Sequence, residues 1–237
     1  MILLSLIFFW LASPQTNQWQ SVENWSPNGL PFQNDLAVFN SSFKRDIDLT
    51  MAPSIGEVQF NGLSSFKFQV KPLAFFLLNG QVRGMRPPEI IVNGAFSGSP
   101  GQMEVSALGN LGKARVILKG VTNGNGAKLE IFGHAGNARI YVNSESYLLF
   151  EGNGNADESQ ILAKPGIHGM FGGQIYFYGE SNAENATITL AGTDSAIQAQ
   201  EHNGTLTIGR LDGTGVVFLG GNQLIIKSGN FSGTIVP

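Results

Sequence analysis

The stretch that decides the fold reads LTIGRLDGTGVVFLGGNQLIIKSGNFSGTI and runs from Leu206 to Ile235. Its apolar residues alternate with polar ones, which is the period of a β-strand with one buried face. Glycine returns too often for an ordinary sandwich strand, while the alternation is too regular for a disordered linker. Because glycine and asparagine tolerate positive φ angles, this pattern predicts short strands joined by tight corners.

The same alternation recurs along most of the chain, whereas the apolar spacing of a three-turn helix is absent. Nearly all of the alternating segments end at Gly, Asn or Ser, where strands commonly stop. The segments are Leu36–Asn40, Glu57–Gly62, Phe66–Val70, Ala114–Gly120, Lys128–Gly133, Ala138–Val142, Gln174–Glu180, Ala186–Gly192 and Thr205–Gly209. The sequence therefore predicts an all-β protein.

Three stretches in the middle of the chain align as strand, glycine-containing corner, Ala/Asn step and second strand. They are LEIFGHAGNARIYV from Leu129, LLFEGNGNADESQILA from Leu148 and IYFYGESNAENATITL from Ile175, with a weaker copy from Met103. The copies are offset by roughly 20 to 30 residues, which is the period of a solenoid. We therefore predict a single-domain right-handed parallel β-helix. The alternative is a β-sandwich with long glycine-rich loops.

The composition excludes several classes of function. Charged residues make up 13 % of the chain, about half of the usual quarter. The chain has no cysteine, which excludes disulfides, Cys-ligated zinc and thiol catalysis. The net charge is −3, and Lys and Arg do not cluster along the sequence. We therefore expect no basic patch and no nucleic-acid partner.

The amino terminus, MILLSLIFFWLASPQ, carries an apolar run that is shorter than the roughly 20 residues needed to span a bilayer. No Lys or Arg precedes this run, and no clean small-x-small cleavage site follows it. We interpret residues 1–9 as an apolar leader or a truncated signal segment and residues 10–237 as the β-helix domain. We expect no membrane-spanning segment in this chain.

The two ends of the chain resemble a known family. The amino-terminal pattern consists of Trp10, Leu11, Ala12, Pro14, Trp19, Asn24, Trp25, Leu30, Pro31, Asp35, Ala37 and Phe39. This pattern is similar to the opening of large bacterial extracellular proteins with autotransporter-associated β-strand repeats. The middle repeats, such as Phe177 to Ile188, and the stretch from Leu206 to Ile235 resemble the repeat unit and closing signature of the same family. The chain departs from the pattern at Glu184, where the family tends to have Gly, and in a shorter loop before Phe231.

The resemblance implies a bacterial cell-surface or secreted protein of the passenger type, of which this chain is a segment. It implies location and architecture more than activity, because a fold does not carry a function. We expect a structural or adhesive role, with no catalysis and no cofactor. The expected partners are surface glycans or the surface of a host or neighbouring cell, and we expect a monomer.

A carbohydrate-active β-helix, either a polysaccharide lyase or a glycoside hydrolase, is the enzymatic alternative. Such enzymes use clustered carboxylates, which here could be Asp46 with Asp48, two residues apart on one strand face. Asp157 and Glu158, with Glu151 nearby, could bind Ca²⁺, although the spacing of known calcium loops is missing. We favour a solvated strand face for the first pair and an ordinary acidic loop for the second group. We therefore predict no catalytic, metal or cofactor residues.

The histidines and aromatic residues complete the set of candidates. His134, His168 and His202 lack any metal-binding motif, and we interpret them as chance surface residues. A further alternative function is a non-catalytic glycan-binding module, for which Tyr176 and Tyr178 are the candidate contacts because they share a strand face. The remaining aromatic residues suggest either a sugar-stacking platform or, as we favour, a plug at the amino-terminal end of the solenoid. They are Trp10, Trp19 and Trp25, joined by Phe32 and Phe39.

Overall fold

The computed structural model describes residues 5–84, 86–95, 99–121 and 124–237. Over these residues the chain is all-β, with one 3₁₀ turn at Val22–Asn24, and forms a single-domain β-solenoid of about eight turns. The strands are β1 (Ile7–Trp10), β2 (Trp25–Ser26), β3 (Leu36–Phe39), β4 (Asp46–Leu49), β5 (Ser54–Ile55), β6 (Glu57–Phe60), β7 (Lys67–Val70), β8 (Phe75–Leu78), β9 (Val82–Gly84), β10 (Glu89–Asn93), β11 (Gln102–Val105), β12 (Arg115–Lys119), β13 (Lys128–Ile131), β14 (Arg139–Val142), β15 (Tyr147–Phe150), β16 (Gln160–Ala163), β17 (Gln174–Phe177), β18 (Ala183–Leu190), β19 (Ala196–Gln198), β20 (Thr205–Gly213), β21 (Val216–Phe218), β22 (Gln223–Ser228) and β23 (Thr234–Val236).

The strands form three sheets that run along the solenoid. Sheet A has five strands in the order β2-β1-β3-β6-β9. Sheet B has nine, β22-β20-β18-β16-β14-β12-β10-β7-β4, and sheet C has nine, β23-β21-β19-β17-β15-β13-β11-β8-β5. Apart from the antiparallel contact between β1 and β2, the paired strands are parallel. Successive strands of the chain therefore enter different sheets, which confirms the β-helix prediction and excludes the β-sandwich.

The predicted repeats superpose coil on coil. Met103, Leu129, Leu148 and Ile175, the residues from which the aligned copies were counted, occupy one register column of sheet C. The second strand of each copy lies in sheet B, where Val116, Ile140, Ile161 and Ile188 form the matching column. Each copy is thus one passage from sheet C to sheet B, as the sequence alignment predicts.

Sheet A ends at β9. Beyond it, the third side of the solenoid is a corner in which residues of neighbouring coils form isolated β-bridges. The bridged residues are Gln81, Asn110, His134, Asn155 and Asn182. In this column, the side-chain oxygen of Asn110 accepts a hydrogen bond from the amide of Gly112 at 2.7 Å, and Asn155 does the same for Asp157. Gly112 and Asp157 both have positive φ. The corner thus repeats in structure, with the asparagine amide satisfying backbone groups that the tight turn would otherwise leave unpaired.

The interior is one continuous apolar cluster that runs the length of the solenoid. Inward positions of facing strands fill it, and large rings stack between neighbouring coils. Phe150 lies against Phe177 with ring centroids 5.0 Å apart, and Phe39 lies against Phe60 at 5.2 Å. These columns place identical residue types at the coil spacing, because parallel strands in register bring equivalent side chains together.

The three tryptophans plug the amino-terminal end of this interior. Trp10, Trp19 and Trp25 are each only 2 % exposed, and Trp25 meets the other two edge to face at 5.1 and 4.8 Å. This geometry confirms the cap and excludes the sugar-stacking platform, since the ring faces are inaccessible. Phe39 joins the cap as predicted.

The prediction for Phe32 is wrong, because its side chain is 68 % exposed. The carboxylate of Asp35 accepts a hydrogen bond from the amide of Phe32 at 2.8 Å, and the amide of Asp35 donates back to the carbonyl of Phe32. This tight turn directs the ring outward, and the preceding Pro31 takes the buried position.

The segment interpreted as a leader overlaps the first strand. Ile7–Trp10 forms β1, which pairs in parallel with β3. Within the described ranges, no helix has both the length and the hydropathy to cross a bilayer.

Candidate functional site

Asp46 and Asp48 share the outward face of β4, as the spacing predicts, and both engage lysines. A carboxylate oxygen of Asp46 lies 3.7 Å from the ammonium of Lys67, and one of Asp48 lies 2.9 Å from that of Lys71. Asp48 also accepts a hydrogen bond from the side chain of Asn17 at 3.1 Å. Both aspartates therefore form surface ion pairs with lysines of the neighbouring coil.

Asp157 and Glu158 occupy the corner before β16, where each side chain already has partners. Asp157 accepts from the amide of Gly136 at 2.7 Å and lies 3.1 Å from Nδ1 of His134. Glu158 accepts from the side chain of Asn137 at 2.6 Å. Among the described residues, no three His, Cys, Asp or Glu side chains form a group that could hold a metal ion. The carboxylates considered for calcium are therefore not brought together.

The three histidines lie apart. His134 is exposed and pairs with Asp157, whereas His168 has a positive φ in the loop between β16 and β17. His202 is buried, and its Nε2 lies 2.7 Å from the carbonyl oxygen of Ser181, to which it donates. The expectation of a surface position is thus wrong for His202, which ties two coils together from inside the corner.

Three tyrosines form an aromatic surface on the outside of sheet C. Tyr176 and Tyr178 project from the same face of sheet C, as predicted, and their rings stack with centroids 5.7 Å apart and planes 15° apart. Tyr147, on the neighbouring strand β15, extends the group, with its centroid 6.3 Å from that of Tyr176. All three side chains are half-buried. We call Tyr147, Tyr176 and Tyr178 the tyrosine face.

The hydroxyls of the tyrosine face are held in their protonated form. Burial raises the pKa of Tyr147, and the nearby Glu145 raises it further. Burial likewise raises the pKa of Tyr176, with a contribution from Tyr147, and that of Tyr178, with contributions from Tyr176 and Glu201. Neutral hydroxyls of this kind can both donate and accept hydrogen bonds at neutral pH.

Carboxylates border the tyrosine face. Glu104 and Glu130 are neighbours in one register column of sheet C, and Glu151 follows β15 beside them. Burial raises the pKa of Glu104 and of Glu151, and the charge of Glu130 adds to both effects. The charge of Lys128, whose ammonium lies 2.5 Å from a carboxylate oxygen of Glu130, lowers the pKa of both groups and partly offsets these effects. The surroundings of the tyrosines are therefore acidic and rich in hydrogen-bond acceptors.

Two residues near this site escape the sequence reasoning. Tyr147 is the residue before the aligned copy that begins at Leu148, so extending that alignment by one position would have placed it beside Gln174 and next to Tyr176. Phe171 is 70 % exposed in the loop before β17. Its backbone is fixed to the start of β15, because its amide donates to Glu145 at 2.7 Å and its carbonyl accepts from Ser144 at 2.9 Å. Phe171 lies in a loop, where the alternation of apolar and polar residues gives no prediction of which side chains are exposed.

Sheet B carries a surface that the sequence did not predict. Contrary to the expectation of no basic patch, five cations from separate segments of the chain line one groove of about 800 Å³. We call this surface the basic groove; its cations are Arg45, Lys67, Lys113, Arg115 and Arg139. They are scattered in the sequence, but the coil repeat places them side by side.

Comparisons of the chain with protein-family models, with curated proteins and with solved structures found no significant match. The solenoid agrees with the fold that the resemblance to the autotransporter-associated repeats implies.

Proposed function

We propose that this chain is a structural and adhesive β-helical segment of a bacterial cell-surface or secreted protein, and that its tyrosine face contacts neutral glycans. The observation that carries the adhesive part is the alignment of Tyr147, Tyr176 and Tyr178 on one outward face, with ring centroids 5.7 and 6.3 Å apart. The resemblance to autotransporter-associated repeats supports the location outside the cell.

The chemistry of the tyrosine face suits an uncharged sugar. Aromatic rings bind the apolar C–H face of a pyranose and leave its hydroxyls free, and tyrosine adds a polar edge. The carboxylates of Glu130 and Glu151 can accept hydrogen bonds from sugar hydroxyls. The same carboxylates repel an acidic ligand, and Lys128 is already paired. Neutral glycans are therefore the class that both the rings and the charges favour.

The rod itself supports a structural role. Each coil of a solenoid contacts mainly its neighbours, so the coils stack into a rod with long, regular faces. We expect no catalysis from this segment, and we expect it to act as a monomer. Measurable turnover on pectins, alginate or β-glucans that is lost in Asp46→Asn would contradict the non-catalytic part of the proposal.

The test is binding of the purified chain to an array of neutral and acidic glycans. We expect binding to neutral glycans, and a loss of at least about tenfold in affinity for them in the double variant Tyr176→Ala/Tyr178→Ala, since stacking contacts of this kind contribute on the order of 1 kcal/mol each.

The chain offers a matched control in Tyr141, which projects from sheet B beneath Arg115, whose guanidinium carbon lies 4.8 Å from the ring centroid. Tyr141→Ala removes the same side chain from the other face and should leave neutral-glycan binding within about twofold. Binding that persists in the double variant, while circular dichroism shows both proteins folded, would exclude the tyrosine face as the adhesive site.

A further inference from the structure

The basic groove runs along the outward face of sheet B, roughly parallel to the solenoid axis. One register column of five neighbouring strands contains Asp46, Lys67, Glu89, Arg115 and Arg139. Strands in a sheet lie about 4.8 Å apart, so charges in this column repeat at that interval. Arg45 and Lys113 lie beside the column, just before β4 and β12, and complete the lining of the groove.

The cations of the groove outnumber its carboxylates. The two acidic residues that line it are Asp46 and Glu89. Lys67 lies between them at 3.7 and 3.9 Å, and Arg115 pairs with Glu89. Within the described part of the chain, no carboxylate lies within ion-pairing distance of Arg45, Lys113 or Arg139. Five cations against two carboxylates leave an excess of three positive charges in a protein whose net charge is −3.

We propose that the basic groove binds an acidic polysaccharide that carries a carboxylate on each sugar, a polyuronate, laid along the column. Arg115 and Arg139 lie one strand spacing apart, which is close to the length of one pyranose residue in an extended polymer, and Lys67 lies two spacings from Arg115. Carboxylates of successive sugars can therefore meet Arg115 and Arg139, while Arg45 and Lys113 flank the column. Guanidinium groups such as those of Arg115 and Arg139 bind carboxylates through paired N–H donors. This binding site is separate from the tyrosine face and independent of it.

The groove is less suited to single-stranded nucleic acid. Proteins that bind such strands combine cations with free aromatic rings on which the bases stack. Phe66, the aromatic residue that lines this groove, is 1 % exposed. Outside the lining, the ring of Tyr141 is covered by Arg115 and approached by Lys164 at 5.9 Å. The groove therefore offers positive charge but no exposed ring on which a base could stack, which suits an acidic polysaccharide better than a nucleic acid.

The experiment compares two probes that differ only in charge: polygalacturonate and the same polymer fully methyl-esterified. Binding to the immobilised variant Tyr176→Ala/Tyr178→Ala, which lacks the site proposed for neutral glycans, is expected for the first polymer and absent for the second. Affinity should also fall steeply between about 50 and 200 mM salt, because the contacts are ionic and exposed.

The variant Arg45→Gln/Lys113→Gln/Arg139→Gln removes the three unpaired cations and should lower the affinity for polygalacturonate by about tenfold or more. The control Arg83→Gln/Lys128→Gln/Lys227→Gln changes the net charge equally, but none of its residues lines the groove. It should retain affinity within about twofold. Both variants replace exposed or half-exposed side chains, and their folding is checked by circular dichroism.

Three results would overturn the proposal: equal binding of the two polymers, equal losses in the two triple variants, or tighter binding to dextran sulfate or a single-stranded oligonucleotide than to polygalacturonate at the same salt. The variant Tyr176→Ala/Tyr178→Ala should bind polygalacturonate like the wild type. Failure of the tyrosine face to bind neutral glycans would therefore leave this inference standing, and the converse also holds.

Discussion

Sheets B and C have the same architecture, but their outward faces carry side chains of opposite charge. Each has nine parallel strands in register, and each contributes alternate residues to the same apolar interior. Outside, sheet B groups Lys67, Arg115 and Arg139 in a groove with excess positive charge, whereas sheet C groups tyrosines with Glu104 and Glu130. The interior columns are restricted to apolar residues that fit the coil, while the outward columns are free to vary. The coil repeat then turns scattered surface residues into continuous stripes of one chemical character.

The strongest way to test the shared interior is to remove an inward ring. Phe150 of sheet C is fully buried and stacks on Phe177, so Phe150→Ala should lower the free energy of unfolding by about 3–5 kcal/mol. Ile140→Ala, at a fully buried position of sheet B, should cost about 2–5 kcal/mol. Tyr147→Ala, an outward change on the same strand as Phe150, should cost about 1 kcal/mol or less.

Urea denaturation followed by circular dichroism measures these changes. If the outward variant lost as much stability as the two inward variants, the distinction between a common interior and independent exteriors would fail.

The corners through which the chain passes from sheet C to sheet B should differ in how much side chain they accept. Gly112 and Gly152 have nearly the same φ, +58° and +60°. A Cβ at position 112 would lie 2.2 Å from the carbonyl oxygen of Val82, but one at position 152 meets nothing within 4 Å. Gly152→Ala should therefore cost only the backbone strain of about 1 kcal/mol, and Gly112→Ala at least about 2 kcal/mol.

Thermal unfolding of the two variants, measured side by side, gives the difference directly. Equal losses would mean that the left-handed backbone alone, without the close approach of the neighbouring coil, limits these corners.

The smallest expected effect is electrostatic. The raised pKa of Glu104 and Glu151 means that the folded chain holds these protons more tightly than the unfolded chain, whose carboxyl pKa is near 4.5. Their contribution to stability is therefore full below that pH and is lost as the pH rises through the raised values. The variant Glu104→Gln/Glu151→Gln should be more stable than the wild type at pH 7, by less than about 1 kcal/mol, and the gain should shrink towards pH 4.

The comparison on sheet B is Glu184→Gln, which removes one carboxylate charge where the sheet C variant removes two. Lys227 lowers the pKa of the Glu184 carboxyl through a hydrogen bond and its charge, so this variant should gain no stability at pH 7. Thermal midpoints at pH 4 and pH 7 compare the two. A gain for Glu184→Gln equal to that of the sheet C variant would show that lower net charge, and not the acidic column, is responsible.

The sequence by itself determined the strands, the coil repeat and the aromatic cap. Period-two alternation reports which side of a strand is buried, and glycine and asparagine mark corners, so these features are local and can be counted along the chain. The alignment of Leu129, Leu148 and Ile175 and the shared face of Tyr176 and Tyr178 follow from that periodicity. Phe32 could not be placed in the same way, because the hydrogen bond that its amide donates to the carboxylate of Asp35, and not the alternation, sets its direction.

Only the tertiary structure decided which distant residues become neighbours on the surface. Arg45, Lys113 and Arg139 are far apart in the sequence, and corners of unequal length separate the coils that carry them. Their convergence depends on the register of each strand pair, which the unequal corners hide from the sequence. Whether a residue is buried can be predicted from the alternation of its neighbours in the sequence. Which residues meet on the outer surface depends instead on the lengths of all the corners that separate their strands.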